Sequence, residues 1–148
     1  MKALLFMLLP VVALAGEREV KQKDVPAKVL AAVKAHSPSA TLKRFALEDG
    51  NYEVAIADAK GQADVVVTAD GQVLTEERTI TVAELPAAVT KALAGGKYAK
   101  ATVTSVERIV SLATPGVSTF ELNVVLGGVR HEIVFDGAGT IVRDEVER

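Results

Sequence analysis

The two histidines, His36 and His131, are the side chains of this chain that titrate nearest neutral pH, so acid–base catalysis or metal binding would use them first. They fall in different predicted elements, and neither has a second histidine at the spacing that holds a metal on one helix face. His36 lies in the last turn of a predicted helix, where the helix dipole favours positive charge. His131 shares strand parity with Ile133 and Phe135, so we expect it to border the core.

Two other motifs lack parts that their chemistry needs. A phosphate-binding loop at Gly95-Gly96-Lys97 would need a glycine at position 91 and a hydroxyl residue at position 98, which hold Lys91 and Tyr98. The two glycines instead fit the end of a helix. The serines that could serve as nucleophiles have no histidine near them in sequence and no nucleophile-elbow motif: Ser105, Ser111 and Ser118.

Carboxylates cluster at Glu76-Glu77 and again at Asp144-Glu145 with Glu147. Paired carboxylates can cleave glycosides or bind Ca²⁺, but adjacent residues of a strand point to opposite faces and cannot meet on one substrate. We therefore expect solvated strand ends there. The sequence predicts no catalytic residue, no metal ligand and no cofactor, and hence a protein that is not an enzyme.

The amino-acid composition excludes further classes of function. The chain has 148 residues, 17 basic against 19 acidic side chains, and no cysteine. Without cysteine there is no disulfide framework, thiolate metal site or Fe–S cluster. A formal net charge of −2 argues against a nucleic-acid partner, which needs a clustered basic surface.

The first residues indicate export. Lys2, an apolar run interrupted by Pro10, and the small-residue ending Ala13-Leu14-Ala15 form the three parts of a secretory signal peptide over residues 1–15. An uncleaved anchor is the alternative, but spanning a bilayer takes about 20 apolar residues. We therefore expect a periplasmic or secreted protein with no stable membrane span after cleavage.

An internal repeat organises the remaining chain. The segment 52–56 recurs 68 residues later as 120–124, and the same offset pairs 64–67 with 132–135. Upstream, Val25-Pro26 matches Leu85-Pro86 with an offset of 60. The sequence thus predicts two repeats, residues 16–80 and 81–148.

Each repeat is predicted to hold one helix followed by four antiparallel strands, an α+β arrangement. The helices should run from Pro26 to about His36 and from Pro86 to Gly95-Gly96. In the second repeat the first hairpin is longer, with strands at 101–112 and 118–126. Each helix should cover one sheet face and leave the other open. Whether the two sheets merge is not decided at this level.

The repeated pattern resembles the PepSY-like family, also described as beta-lactamase-inhibitor-like. The resemblance rests on 25–29 at the first helix start, on Tyr52-Glu53-Val54 and Phe120-Glu121-Leu122, and on the glycine turns at 68–74 and 137–142. It implies an exported bacterial protein with a helix packed on a curved four-stranded sheet in each repeat. It also implies protein binding or enzyme restraint, with no established reaction.

These observations converge on an exported module that binds another envelope or secreted protein, as an inhibitor or regulator of an enzyme. A module binding a small ligand or metal in the cleft between the repeats is the alternative, and a hydrolase using His36 or His131 is the third. The long hairpin tip at 114–117 is a candidate contact loop. The partner-binding residues are predicted from strand parity on the open face of the second sheet: Arg108, Glu121, Asn123, Arg130, Glu132 and Asp144.

Overall fold

The computed structural model describes residues 17–147, so the predicted signal peptide lies outside the described residues. Two α-helices, two short 3₁₀ turns (Gln22–Asp24 and Val82–Glu84) and nine strands make up this part of the chain. The helices are α1 (Ala27–His36) and α2 (Ala87–Gly95). The strands are β1 (Arg18–Glu19), β2 (Thr41–Glu48), β3 (Asn51–Asp58), β4 (Gly61–Thr68), β5 (Val73–Thr79), β6 (Thr102–Ser111), β7 (Ser118–Leu126), β8 (Val129–Asp136) and β9 (Ile141–Val146).

The strands form one continuous antiparallel sheet in which each strand pairs with the next along the chain. The α+β class and the meander are confirmed. Whether the two predicted four-stranded sheets merge was open from the sequence; the structure shows that they do, because β5 pairs directly with β6, Glu76 lying opposite Val110. A ninth strand, the two-residue β1, adds to the outer edge of β2, opposite Ala46 and Leu47.

Helix α1 begins where the sequence predicted, with Pro26 as its N-cap residue. Proline fits this position because its fixed φ suits the first turn and its missing N–H has no partner to lose there. The helix buries Val29 and Val33 completely against the sheet, and its nearest strands are β4 and β5. The first core thus lies between α1 and one sheet face, where it includes Phe45, Val54 and Ile56.

Helix α2 repeats this arrangement on the same face of the sheet, with Pro86 as its N-cap residue. Val89 is fully buried, and Tyr98, just beyond the helix, is 2% exposed. Their core partners come from β6, β7 and β8, with Leu122 and Ile133 at the centre. Full burial of one large aliphatic side chain stabilises the folded state by about 2 kcal/mol. These two clusters therefore supply most of the favourable free energy of folding.

Both helices therefore cover one face of the sheet, which we call the helix face. Among residues 17–147 no element covers the opposite face, which we call the open face. Neither described helix, ten and nine residues long, is long and apolar enough to cross a bilayer.

Candidate functional site

A row of carboxylates crosses the open face, one from each of six consecutive strands. Alternation along each strand places them opposite the core residues; on β3, for example, Val54 and Ile56 are buried while Glu53 points to the open face. We call this set the carboxylate row. Its members are Glu53 on β3, Asp64 on β4, Glu77 on β5, Glu107 on β6, Glu121 on β7 and Glu132 on β8.

Strand register brings like charges directly opposite one another within the row. Asp64 is the cross-strand partner of Glu77, and Glu107 is the partner of Glu121. Directly opposed side chains in an antiparallel pair lie about 5 Å apart at Cβ, and like charges at that distance destabilise the sheet. The arrangement is therefore electrostatically unfavourable, and packing elsewhere in the protein must offset this cost.

Two arginines neutralise only the ends of the row. At one end the Arg44 guanidinium on β2 donates to Glu53 at 2.8 Å and also to Glu17. At the other end Arg143 on β9 donates to Glu121 at 3.1 Å and also to Glu132.

The centre of the row has no such compensation. Within residues 17–147, Asp64, Glu77 and Glu107 form no ion pair with a lysine or arginine. Negative charge is thus concentrated in the middle of the open face.

This environment shifts the proton affinity of the carboxyls. Burial, followed by the charge of Asp64, raises the pKa of Glu53 to about 7. Burial also raises the pKa of Glu107 to about 7, and every charged neighbour that contributes there is acidic. The pKa of Glu121 is raised to about 7 by burial and then by Glu132 and Glu107.

The other two carboxyls of the central strands shift in the same direction. Burial raises the pKa of both Asp64 and Glu77. Near neutral pH, Glu53, Glu107 and Glu121 are therefore held between their charged and neutral forms.

Two buried acceptor atoms also lie on this face. Among the described side chains, the Oδ1 atoms of Asp64 and Asn123 are buried and accept no hydrogen bond. The Asn123 amide Nδ2 donates to Ser105 Oγ at 2.9 Å, which fixes its orientation. Buried acceptors without donors are uncommon in folded proteins, so both atoms can receive hydrogen bonds from a donor that reaches this face.

The structure places four of the six predicted partner-binding residues on the open face. Glu121 and Asn123 alternate with core residues of β7, and Glu132 and Arg130 do so on β8. Of these, Glu121 and Glu132 belong to the carboxylate row, and Asn123 lies opposite Glu132. No partner is present, so their role in binding stays a prediction.

The predicted placement of Arg108 and Asp144 on the open face is wrong. Arg108 is the cross-strand partner of Phe120, and Asp144 is the partner of Ile133, both of which are core residues on the helix face. Directly opposed residues project to the same face. Bulges between Val103 and Ser105 and between Val134 and Phe135 shift the register, which parity counting along one strand does not reveal.

Asp144 instead belongs to a polar cluster at the end of the helix face. It accepts hydrogen bonds from Tyr98 Oη at 2.6 Å and from Lys97 Nζ at 2.7 Å, and these lower its pKa. The Tyr98 Oη atom also lies 3.1 Å from Nδ1 of His131, which borders the core as expected: it lies opposite the core residue Val124 and its side chain is 13% exposed. Asp144 is exposed, as predicted for a solvated strand end, but its bonds also tie β9 to the segment after α2.

A second cluster on the helix face surrounds Arg78, which is 5% exposed. Its guanidinium donates to both carboxylate oxygens of Asp58 at 3.0 Å and to Glu76 at 2.9 Å. The other oxygen of Glu76 lies 2.6 Å from Nε2 of His36. Burial opposes ionisation of Glu76, but the hydrogen bonds from His36 and Arg78 prevail and lower its pKa.

A cleft of about 440 Å³ lies beside this cluster, where the second sequence hypothesis placed a ligand. Lys60 and Arg108 line it together with Glu84, but the Arg78 guanidinium at its wall is already bonded to Asp58 and Glu76. Within residues 17–147, no three His, Asp or Glu side chains are grouped to hold a metal ion.

Sequence reasoning missed Asp64, Glu77 and Glu107 as members of one surface. In the sequence Glu53 alternates with the apolar residues Val54 and Ile56 of β3, and an acid at the outward position recurs on each following strand. That recurrence is the signal that could have found the row. Recognising it needed the pairing of β5 with β6, because only a continuous sheet aligns the acids of both halves.

The carboxylate row predicts that acidification stabilises the protein. Glu53, Glu107 and Glu121 have a pKa of about 7 when folded against an ordinary 4.5, so between these values the folded chain binds more protons than the unfolded chain. Stability is then greatest on the acidic side of that window and falls as the pH rises through it. From about pH 5 to about pH 8 we expect the free energy of unfolding to fall by about 3 kcal/mol, measured by urea denaturation.

The substitution Glu107→Gln tests whether the carboxylate row causes this pH dependence of stability. It removes the charge that has only acidic neighbours, so it should raise stability at about pH 8 and flatten the profile there. Below the ordinary carboxyl pKa the slope should reverse, because Glu76 and Asp144 have lowered pKa values and lose their bonds on protonation. A profile that rises from about pH 5 to about pH 8 would contradict this account of the row.

Comparison with solved structures finds the same fold in bacterial proteins of low sequence identity. A DUF2874 family protein from Bacteroides uniformis matches with a TM-score of 0.75 at 22% identity, over 82% of this chain and 88% of that one. A protein from Bacteroides eggerthii, provisionally described as periplasmic, has a TM-score of 0.76 at 20% identity over 82% and 88% of the two chains. A BLIP-like protein from Bacteroides fragilis has a TM-score of 0.70 at 22% identity over 82% and 86%.

No family model matches this chain, and no curated protein matches it. At these identities the structural likeness establishes the fold alone. The chain therefore has the fold shared by DUF2874 family proteins and the BLIP-like protein, a helix-covered antiparallel sheet with one face open.

Proposed function

We propose that this protein is an exported, non-enzymatic module that binds another envelope or secreted protein through its open face, and that it restrains or regulates an enzyme. The single observation that carries the proposal is the uncompensated centre of the carboxylate row on a face that no described element covers. Like charges placed directly opposite each other, as in the Asp64–Glu77 and Glu107–Glu121 pairs, reduce stability. A partner that brings positive charge to this face relieves the cost.

The partner's contact surface should therefore be basic and rich in hydrogen-bond donors. Lysine or arginine side chains would restore the full charge of carboxyls whose pKa is near 7, and amide or guanidinium groups would satisfy the Oδ1 atoms of Asp64 and Asn123. Charge complementarity of this kind speeds association and excludes acidic partners.

Export is supported by the leader-like residues 1–15 and by the fold shared with the provisionally periplasmic protein from Bacteroides eggerthii. Regulation of an enzyme is supported by the fold shared with the BLIP-like protein from Bacteroides fragilis. We also propose that the chain is a tandem pair of PepSY-like units. Each helix packs on its own set of strands, with separate clusters around Val29 and Val89, and the sequence offset of 68 relates the two sets.

Charge reversal at the centre of the row tests the proposal. Proteins retained from an envelope extract by the immobilised wild-type chain are identified, and the affinity for each is then measured with the wild type and with Glu107→Lys. We expect Glu107→Lys to weaken the specific partner at least roughly tenfold, and added salt to weaken the wild-type complex.

The matched control is Asp24→Lys, which makes the same charge change at an exposed position beside α1. It should leave the affinity within about twofold, because it lies away from the open face. Equal binding by the wild type and Glu107→Lys, with no salt dependence, would show that the open face is not the binding surface. Circular dichroism establishes that both variants are folded.

A further inference from the structure

The outer edge of β9 is the long free edge of the sheet. Within residues 17–147 no strand pairs with it, whereas at the opposite end β1 covers part of β2. All six residues of β9 are exposed. Of the seven exposed large apolar residues of the described chain, three lie in this strand: Ile141, Val142 and Val146. An edge with exposed apolar side chains is a template for pairing with another strand.

The backbone of this edge has groups free to pair. The Glu147 N–H donates to the Arg130 carbonyl at 3.1 Å, so this pair is a hydrogen-bonded position of the β8–β9 ladder. Bonded and non-bonded pairs alternate along an antiparallel ladder, which directs the N–H and C=O groups of Asp144 and Val146 away from β8. Val142 is an extra residue at a bulge, without a cross-strand partner in β8, and its side chain is 58% exposed.

The side chains of β9 are complementary to a second copy of themselves. The segment 142–146 reads Val-Arg-Asp-Glu-Val, an apolar, basic, acidic, acidic, apolar order. When two such strands run antiparallel about a twofold axis at Asp144, Val142 meets Val146 and Arg143 meets Glu145 of the partner. Both contacts occur twice, once on each side of the axis, as in any isologous interface.

The remaining contact, Asp144 against Asp144, is compensated by neighbouring side chains of each chain. Each Asp144 already accepts hydrogen bonds from Lys97 and Tyr98 of its own chain, and the Lys97 side chain is 59% exposed beside it. Two lysines therefore accompany the two aspartates at the axis. Arg143 is 47% exposed and is held towards the open face by Glu121 and Glu132, from where its guanidinium can reach a neighbouring strand.

We propose that the β9 edge is a homodimer interface in which two copies pair antiparallel about Asp144 and join their sheets into one. The interface is small, so the dimer should be weak and depend on concentration. It does not depend on the proposed open-face function, and the open faces of both copies lie on the same side of the joined sheet.

Analytical ultracentrifugation of the signal-free chain across the micromolar range tests the dimer. We expect a monomer–dimer equilibrium, and we expect Glu145→Arg, which places arginine opposite the partner's Arg143, to weaken it at least tenfold. Within its own chain Glu145 lies opposite Glu132, so this change should not lower the unfolding temperature. The control Val117→Lys, at an exposed apolar residue of the hairpin tip, should leave the equilibrium unchanged.

The register is tested by cross-linking, for which the cysteine-free chain is well suited. In the double variant Val142→Cys with Val146→Cys, mild oxidation should give a dimer joined between positions 142 and 146, whereas Val117→Cys should not cross-link at comparable yield. A monomer at every concentration would overturn the proposal. Links between two copies of position 142, or assembly beyond a dimer, would overturn it as well, since they indicate another register or an open-ended contact.

Discussion

Replacement of Gly139 by alanine should lower the free energy of unfolding by roughly 4 kcal/mol, the largest effect we expect from removing or adding one methyl group in this protein. Gly139 has φ +84°, a left-handed conformation that costs an alanine about 1–2 kcal/mol. A Cβ atom there would lie 2.5 Å from the Ala88 carbonyl oxygen and 2.8 Å from its carbon. These are backbone atoms of the first turn of α2, so relief requires the turn and the helix to separate.

Two other glycines separate the cost of the φ angle from the cost of the contact. Gly116 has φ +85° but no atom within 4 Å of a Cβ, so Gly116→Ala should show the backbone cost alone, about 1 kcal/mol. Gly71, at the corresponding turn beneath α1, would place its Cβ 3.0 Å from the Lys28 oxygen and should be intermediate. Urea denaturation of the three alanine variants should show the largest loss of unfolding free energy at Gly139, a smaller loss at Gly71 and the smallest at Gly116. Equal losses of stability at Gly139 and Gly116 would show that close contact between this turn and α2 does not contribute to the cost.

The contact explains how a short turn positions a helix. Asp136 organises the turn between β8 and β9, accepting hydrogen bonds at its side chain from the backbone N–H groups of Ala138 and Thr140. This leaves Gly139 against Ala88, so the end of the sheet supports the start of α2. The sequence predicts the glycine turn from its residue types, but it does not show what the turn touches.

The elements themselves are well predicted from local signals. Pro26 and Pro86 mark the helix starts through the fixed φ of proline, and the Gly95-Gly96 pair marks the second helix end, with Gly96 in extended rather than left-handed backbone. The long hairpin also lies where it was predicted, with β6 at Thr102–Ser111 and β7 at Ser118–Leu126. Strand parity also correctly placed His131 at the border of the core, on the same face as the buried Ile133 and Phe135.

Contacts between distant segments account for what the sequence did not show. The joining of two predicted sheets depends on β5 and β6, whose pairing sets Arg78 opposite Arg108 across a long connection that includes α2. Because that pairing was not known, the carboxylate row was not recognised as continuous, and the bulge between Val103 and Ser105 led parity to assign Arg108 to the wrong face. Local residue propensity determines neither the face of Arg108 nor the continuity of the row, because strand register depends on how whole sheet faces pack.

The same junction gives the second large prediction. Arg78→Met should lower the free energy of unfolding by roughly 3 kcal/mol, because removal of one member of a buried ion pair leaves Asp58 and Glu76 charged without the guanidinium that neutralises them. Arg78 is 5% exposed and makes three charged hydrogen bonds, two to Asp58 and one to Glu76. Methionine keeps the aliphatic stem and much of the volume, so the loss reports on the charge and its hydrogen bonds.

The neighbouring Arg108 provides a matched control. It lies directly opposite Arg78 on the same face, but it is exposed and forms no hydrogen bond or ion pair among the described side chains. Arg108→Met should change stability by no more than about 0.5 kcal/mol, and removal of a like charge opposite Arg78 favours a small gain. Urea denaturation near neutral pH compares the two variants.

The pH dependence of the loss distinguishes the ion pairs from simple packing. When Glu76 and Asp58 are protonated they no longer need a cation, so the penalty of Arg78→Met should shrink as the pH falls below their ordinary pKa values of 4.5 and 3.8. A loss that is the same at about pH 3 and about pH 7 would show that it does not come from the charges of Asp58 and Glu76. In the wild type, by contrast, Arg78 and Glu76 join the first helix end at His36 to the strand where the two halves of the sheet meet. Loss of this cluster should therefore weaken the docking of α1 together with the β5–β6 junction, and both should unfold in one transition.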